Sequence, residues 1–312
     1  MIEMPYCHNC GKEIEEEARY CPYCGVSVRG AERSRELRVE EISIPYPEAP
    51  SVAMEIVIGV MGRVRVGGGA REGFVEGRIE YDVPEWEPVV QASGDTVRIV
   101  QAERWEEKRW LLNDFVNRWD LRLGDGKPFR LRIKTGVTKG EWDLGRLPIT
   151  DLRVDTGVSE NRIMFNGPNP ETMENFRLGS GVGDMDLEGL LDANFSRAEM
   201  SGGVGDVTLR FTGEKLGRDA TVKMEGGVGS FKVIVDEGVP ARATVRGLTS
   251  VSAHGGFSRR RGQTFGGEYT NRAYDEAQGP RLEFDITMGV GSVTLDTREK
   301  TSFLSIEQSS DT

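Results

Sequence analysis

The sequence predicts an all-β fold, built as a β-solenoid-like stack of repeats that follows a small cysteine-containing module. Three observations predict it. First, an alternating apolar run followed by glycine and valine recurs along the chain, and the valines of five successive copies lie 21, 24, 22 and 24 residues apart. Second, 40 of the 312 residues are glycine, which favours tight turns over long helices. Third, all four cysteines fall within the first 24 residues. A fixed period of this length is typical of stacked repeats, and a β-sandwich is the alternative.

Two cysteine pairs define the N-terminal module, Cys7 with Cys10 and Cys21 with Cys24, and a glycine follows each pair. Together they supply the four sulfurs that a tetrahedral Zn²⁺ requires, so we predict one structural zinc ion with these four ligands. So short a segment holds too few apolar residues to offset its ordering entropy, whereas zinc supplies roughly 10 to 16 kcal/mol in comparable peptides. Iron is the competing metal, and two disulfides are the alternative in an oxidising compartment. His8 is predicted to be a solvated neighbour.

Residues 7–25 read Cys-x-x-Cys-Gly-Lys-Glu-Ile-x(5)-Tyr-Cys-Pro-x-Cys-Gly. This pattern closely resembles the short zinc-ribbon module at the N-terminus of many prokaryotic proteins. The resemblance implies metal binding and a docking or stabilising role. A closed four-sulfur site also leaves no position for water or substrate, which favours a structural role over catalysis.

The predicted domain organisation has four parts. Residues 1–26 form the ribbon, and residues 27–50 form a linker rich in charge and proline, within which 37–44 could pair as an edge strand. Residues 51–298 form the repeat domain, and residues 299–312 form a tail that is expected to be disordered.

The apolar pattern within each repeat predicts two strand arms that meet at a corner. Counted from each valine, apolar residues lie at −6 and −4, and in later copies at +3 and +5, so the alternation changes parity beside the glycine-valine pair. We predict that the glycine permits the corner and that the valine fills the core. One copy buries too little apolar surface to fold alone, so stacking is required. The valines are Val137, Val158, Val182, Val204, Val228 and Val290.

Less regular segments flank the full copies. An imperfect copy is predicted at residues 54–60 and a degenerate copy near Val251. Strands are predicted at 77–83, 97–100 and 119–123, and a short helix at 105–116.

The serial Gly-Val turns, the tryptophan-rich segment ending in Asn-x-Trp-x-Leu-x-Leu (117–123) and the final Gly-Val-Gly-Ser-Val (289–293) carry a second resemblance. In this order they are similar to the toast-rack domain and the related C-terminal domain of LiaF-like proteins. The resemblance implies a non-enzymatic β-solenoid associated with bacterial cell-envelope stress signalling, usually attached to transmembrane helices. The longest apolar run here, residues 52–62, is too short to span a bilayer, and residues 1–6 do not resemble a signal peptide. We therefore expect a cytoplasmic protein without membrane insertion.

The sequence predicts no catalytic site, because it has only two histidines, no cysteine beyond the ribbon and no Gly-x-Ser-x-Gly motif. Asp184 with Asp186, and Asp206, follow Gly-Val-Gly turns and could bind Ca²⁺ between coils. Serine replaces Asp184 and Asp206 in later copies, so we predict that these carboxylates bond turn amides instead. The loop Arg259-Arg260-Arg261 is a candidate contact for an acidic partner or nucleic acid.

These observations predict a non-catalytic cytosolic interaction or scaffold protein whose partner is another protein, in a stress-signalling system by the family resemblance. The alternative is a nucleic-acid-associated protein that acts through the zinc ribbon. The net charge of −11 opposes that alternative, as do the two cationic residues of the ribbon, Lys12 and Arg19, against five glutamates. Nucleic-acid binding depends on cationic surface, so a nucleic-acid partner is not expected.

Overall fold

The computed structural model describes residues 6–7, 10–14, 21–24, 36–59, 61–101, 115–262, 265–276 and 279–299. The chain divides into two compact units, Met1–Leu37 and Arg38–Thr312. The described residues of the second unit are almost entirely strands, joined in a 16-stranded sheet.

The strands in chain order are β1 (Arg38–Ile44), β2 (Val52–Ile58), β3 (Gly62–Gly68), β4 (Val75–Tyr81), β5 (Pro88–Ser93), β6 (Thr96–Gln101), β7 (Asn117–Leu123), β8 (Phe129–Asp143), β9 (Ile149–Met164), β10 (Met173–Glu188), β11 (Phe195–Phe211), β12 (Ala220–Asp236), β13 (Ala241–Ala253), β14 (Ser258–Arg261), β15 (Gly267–Thr270) and β16 (Leu282–Arg298). A 3₁₀ turn, Pro84–Trp86, and one short helix, α1 (Arg272–Glu276), complete the described elements.

The long strands are the predicted repeats, and each forms one coil of a parallel, in-register stack. Val158 of β9 pairs with Val137 of β8 on one side and with Val182 of β10 on the other. In β12 the buried positions are even-numbered up to Met224 and odd-numbered from Phe231 to Val235, so the alternation changes parity at the corner. The β-solenoid-like stack is confirmed, including its two arms and its corner.

An aromatic ladder shows why one coil cannot fold alone. Phe165, Phe176, Phe195, Phe211 and Phe284 stack edge to face, with successive ring centroids 6.2, 6.2, 6.4 and 5.0 Å apart. The rings come from β10, β11, β16 and the segment that follows β9, with Phe195 and Phe211 at the two ends of β11, and all five are buried. Such contacts add to the area that each ring buries, so these coils depend on their neighbours.

The imperfect first copy is present and splits into two strands. β2 pairs with the first arm of β8, and β3 pairs with the second arm. Beyond them the arms continue separately, as β6 and β5 on one side and as β7, β4 and β1 on the other. The strands predicted at 77–83, 97–100 and 119–123 correspond to β4, β6 and β7. Val60 and residues 102–114, which hold most of the predicted helix, lie outside the described residues.

The last strand of the sequence is not the last coil of the stack. β16 lies between β12 and β13, parallel to both. β13 is the degenerate copy near Val251, and in it Leu248 takes the place of the corner valine, opposite Val290. β15 and β14 then extend the sheet past β13. The final strand is therefore inserted between two strands that precede it in the chain.

The prediction that the corner valine fills the core is wrong. Val158, Val204 and Val228 each retain 52 to 53% of their surface exposed. The parity change leaves two consecutive residues, the glycine and the valine, on the outer face of each corner. Side chains before and after the corner, such as Met224 and Phe231, fill the interior instead.

Glycine is required at the corners for two reasons, which are steric contact with the preceding coil and backbone conformation. At the position before the valine, a Cβ on Gly157 would lie 2.6 Å from the carbonyl oxygen of Gly136 in the preceding coil, and a Cβ on Gly181 would lie 2.7 Å from that of Gly157. At the position after the valine, Gly205 and Gly229 have φ of 142° and 147°, which L side chains rarely adopt. Both glycines permit close stacking, since a Cβ on Gly205 would also collide with the Gly183 carbonyl oxygen, and the second glycine in addition permits the corner conformation.

Candidate metal centre and valine ridge

The four cysteine sulfurs converge in the N-terminal unit, all within 4.8 Å of one another. Cys7 Sγ lies 3.6 Å from Cys24 Sγ, and Cys10 Sγ lies 3.5 Å from Cys21 Sγ. Four sulfurs at about 2.3 Å from a tetrahedral Zn²⁺ would stand about 3.8 Å apart. The donor set and its spacing therefore fit a four-coordinate thiophilic metal.

A tight turn positions the first pair of cysteines. The Gly11 amide donates to the Cys7 carbonyl at 2.8 Å, and the Cys7 amide donates to the Lys12 carbonyl at 2.9 Å. Gly11 has a φ of 67°, which suits this conformation. Cys7 and Cys21 are buried with Ile14, whereas Cys10 and Cys24 are exposed. Two of the four sulfurs thus form part of the small core of the module.

The neighbouring sulfurs affect the ionisation of Cys10. The backbone amide of Lys12 lowers the pKa of the Cys10 thiol, but desolvation and hydrogen bonds with Cys21, Cys24 and Cys7 outweigh it and raise that pKa to about 12. Thiols gathered this closely disfavour the thiolate form, and a bound cation reverses that preference. His8 lies outside the described residues.

The outer face of the corners carries one apolar side chain on each coil. We call this row the valine ridge; its members are Val137, Val158, Val182, Val204, Val228, Val290 and Leu248. Their exposed fractions run from 39% at Val137 to 64% at Leu248. At a strand spacing of about 4.8 Å, seven positions extend over about 29 Å. Sequence reasoning found these valines but assigned them to the core, because a corner that turns two consecutive residues outward leaves no separate signal.

Two aspartates beside the ridge bond to the neighbouring coil, as predicted. The Asp206 amide donates to Asp184 Oδ1 at 3.2 Å. The Ser230 amide and hydroxyl both donate to Asp206 Oδ1, at 3.0 and 2.8 Å. Each carboxylate thus accepts a turn amide from the next coil.

We expect Asp206→Ala to lower the free energy of unfolding by about 1 kcal/mol, because two hydrogen bonds from Ser230 are lost. Urea denaturation measures the loss, and Thr208→Ala on the same strand is the control. Added Ca²⁺ is expected to leave the midpoint of the unaltered protein unchanged. A rise in that midpoint that Asp206→Ala abolishes would restore the calcium interpretation.

The three arginines singled out in the sequence lie on β14, the outermost strand at one end of the sheet. Arg260 donates to Thr270 Oγ1 at 2.6 Å and pairs with Asp275, and Arg259 Nη2 donates to the Gly266 carbonyl at 3.0 Å. The pairing of β14 with β15 is irregular between Arg259 and Arg261. Charge and irregular pairing protect open sheet edges. A binding role for these arginines stays a prediction.

Two further features bear on function. Two hollows in the part of the chain that the structure describes, one beside Gly203 and Val204 and the other beside Phe195 and Phe211, each have a volume of about 10 Å³, room for about one water molecule. Within the same described residues, none of the helices has the length and apolar character needed to cross a bilayer.

Similar structures have been solved. A candidate cell adhesion protein from Clostridium sporogenes is 16% identical, with a TM-score of 0.45, and the match covers 84% of this chain and 100% of that one. A candidate adhesin from Bacteroides fragilis is 14% identical, with a TM-score of 0.40 and coverage of 84% and 98%. A candidate lipid binding protein from Parabacteroides distasonis is 11% identical, with a TM-score of 0.30 and coverage of 82% and 96%. At these scores the likenesses carry no argument about function. No curated protein matches the chain.

Family models account for both units. Residues 6–26 match a zinc-ribbon domain. Residues 33–188 match the N-terminal domain of toast_rack, DUF2154, and this match covers half of the chain. The chain therefore belongs to the toast-rack family and has a zinc-ribbon domain at its N-terminus.

Proposed function

We propose that this protein is a non-catalytic interaction protein that binds another protein through the valine ridge. The single observation that carries the proposal is the exposure of an apolar side chain at the same corner of every described full coil. The core does not require these side chains, because the interior of each corner is filled by other residues. A contiguous apolar row of this length on a soluble surface is typical of interaction sites.

We also propose that the ribbon binds one structural zinc ion. Cys7, Cys10, Cys21 and Cys24 are its ligands, since their sulfurs converge at spacings suited to a tetrahedral metal. Residues 1–26 act as a docking or stabilising module, joined to a repeat domain over 51–298 by residues 27–50, of which β1 pairs with β4 at the edge of the sheet.

We also propose that the protein is located in the cytosol. Four thiols in a zinc site persist best in a reducing compartment, where disulfides are rare. An envelope-stress signalling system is the setting that the resemblance to LiaF-like proteins implies. If the protein works there, the ridge is the surface through which it contacts a signalling partner.

The test is affinity purification of the tagged full chain from native cells, compared with Val158→Glu/Val204→Glu/Val290→Glu. These three substitutions lie on alternate coils, so the new carboxylates do not oppose one another directly. We expect the triple variant to recover its partner at least tenfold less well, because a charge at each site prevents desolvation of the ridge.

The matched control is Thr221→Glu/Ser252→Glu/Ser258→Glu, which places three carboxylates at exposed positions off the ridge. This variant is expected to recover the partner as the unaltered protein does. Equal recovery by both triple variants would contradict the ridge as the binding surface. Circular dichroism of both variants verifies that the sheet is retained.

A further inference from the structure

We propose that the partner on the valine ridge is a second copy of this chain, in a two-fold dimer whose ridges lie against each other. This inference rests on the proposed function, in that it names the occupant of the same surface.

The period of the ridge matches that of a second ridge. Neighbouring members are paired strand residues, as Val182 with Val204 and Val204 with Val228, so they repeat at the strand spacing of about 4.8 Å. A partner stays in register along the whole row only if its own side chains repeat at the same distance. A second copy of the stack meets this condition by construction.

The exposed glycines beside the ridge let a second ridge approach closely. The residue before each ridge valine is glycine, and Gly157, Gly181, Gly203, Gly227 and Gly289 are all exposed. With no side chain at these positions, a furrow of bare backbone runs along the ridge. In a two-fold dimer this furrow faces the furrow of the second copy, so no side chain on that side keeps the opposing ridges apart.

The area is close to what a stable dimer needs. Seven half-exposed aliphatic side chains present on the order of 500 Å² of apolar surface, near the upper end for the largest patch on a typical monomer. The furrow and the polar rows beside it extend the face toward the ~800 Å² per partner of a standard interface. A two-fold contact buries the same patch on both copies.

Charge favours an antiparallel dimer over an anionic lipid surface. The row two residues after the ridge positions begins with Lys139, which pairs with Glu160 at 2.9 Å, and is acidic at Glu160, Asp184 and Asp206 and neutral at Ser230, Ser292 and Ser250. A two-fold axis at the middle of the ridge, perpendicular to it, sets Glu160 across from Ser292 and Asp184 across from Ser230. Only Asp206 then faces its own copy, and its Oδ1 already accepts two hydrogen bonds. The same carboxylates would repel anionic headgroups.

The experiment places a diazirine-bearing amino acid at position 204, the middle of the ridge, or at position 221 as the control. The full zinc-loaded chain is irradiated after purification and also in native cells. We expect a covalent adduct of twice the chain mass from position 204 in both settings, and at least tenfold less from position 221. Sedimentation equilibrium is expected to show a dimer that Val158→Glu/Val204→Glu/Val290→Glu weakens at least tenfold.

The outcomes separate this inference from the proposed function. An adduct from position 204 to a different protein or to lipid, with a purified chain that stays monomeric, would overturn the second copy as occupant. In the first case the ridge would remain a protein-binding surface. No adduct from position 204 above that from position 221, in either setting, would overturn both.

Discussion

Gly205→Ala is expected to lower the free energy of unfolding by about 3 kcal/mol or more. Gly205 has a φ of 142°, a conformation almost confined to glycine, and a Cβ there would collide with the carbonyl oxygen of Gly183 in the preceding coil. Both atoms in the collision belong to rigid parts of the stack, since Gly183 itself pairs with β9. The coil therefore cannot relax without losing hydrogen bonds on at least one side.

Denaturant unfolding, with hydrogen exchange read separately over Phe195–Phe211, measures this effect. The matched control is Gly202→Ala, three residues earlier on the same strand, where an added Cβ meets nothing within 4 Å. We expect the control to change stability by less than about 0.5 kcal/mol, or to stabilise slightly by restricting the unfolded chain. Equal losses in the two variants would contradict the steric account of the corner.

Removing the metal is expected to unfold the ribbon and to leave the repeat domain folded. Structural zinc contributes on the order of 10 kcal/mol to such modules, which is more than so small a core supplies. Cys21 is both buried and one of the four converging sulfurs, so Cys21→Ser removes a ligand and part of the core together. We expect one zinc per chain in the unaltered protein and less than a tenth of that in Cys21→Ser.

Metal analysis and hydrogen exchange, with and without a chelator, measure the two parts of this result. Residues 7–24 are expected to lose protection, whereas the sheet signal in circular dichroism stays unchanged. Tyr23→Ala is the control, because Tyr23 lies between two ligands but is 61% exposed. Full zinc content in Cys21→Ser, or loss of the sheet with the metal, would contradict this assignment.

Much of the fold could be predicted because strand periodicity is local. Val222 with Met224, and Phe231 with Val233, show the two arms and the parity change within a dozen residues. The ribbon could be predicted equally well, since two Cys-x-x-Cys pairs at short spacing are typical of a four-sulfur metal site. The turn role of Asp206 followed from its replacement by serine in the next coil.

Other features depend on contacts between distant residues. The exposure of Val204 follows from the conformation of the corner, and an alternating pattern does not indicate which of two consecutive corner residues points inward. The insertion of β16 between β12 and β13 follows from long-range pairing, since β13 precedes it by some forty residues. The contacts of Arg260 with Thr270 and Asp275 likewise required the chain to fold back past β13.

The sequence by itself determined the repeat, the two-armed coil and the four metal-binding sulfurs, because each depends on the spacing of neighbouring residues. Only the tertiary structure decided which side of the corner faces solvent and which coil lies next to which. Both depend on how backbones stack: a carbonyl of one coil occupies the space of a Cβ in the next, so the glycines are required and the valines remain outside. The valine ridge, which we propose as the binding surface, therefore arises from packing between coils, and no single repeat encodes it.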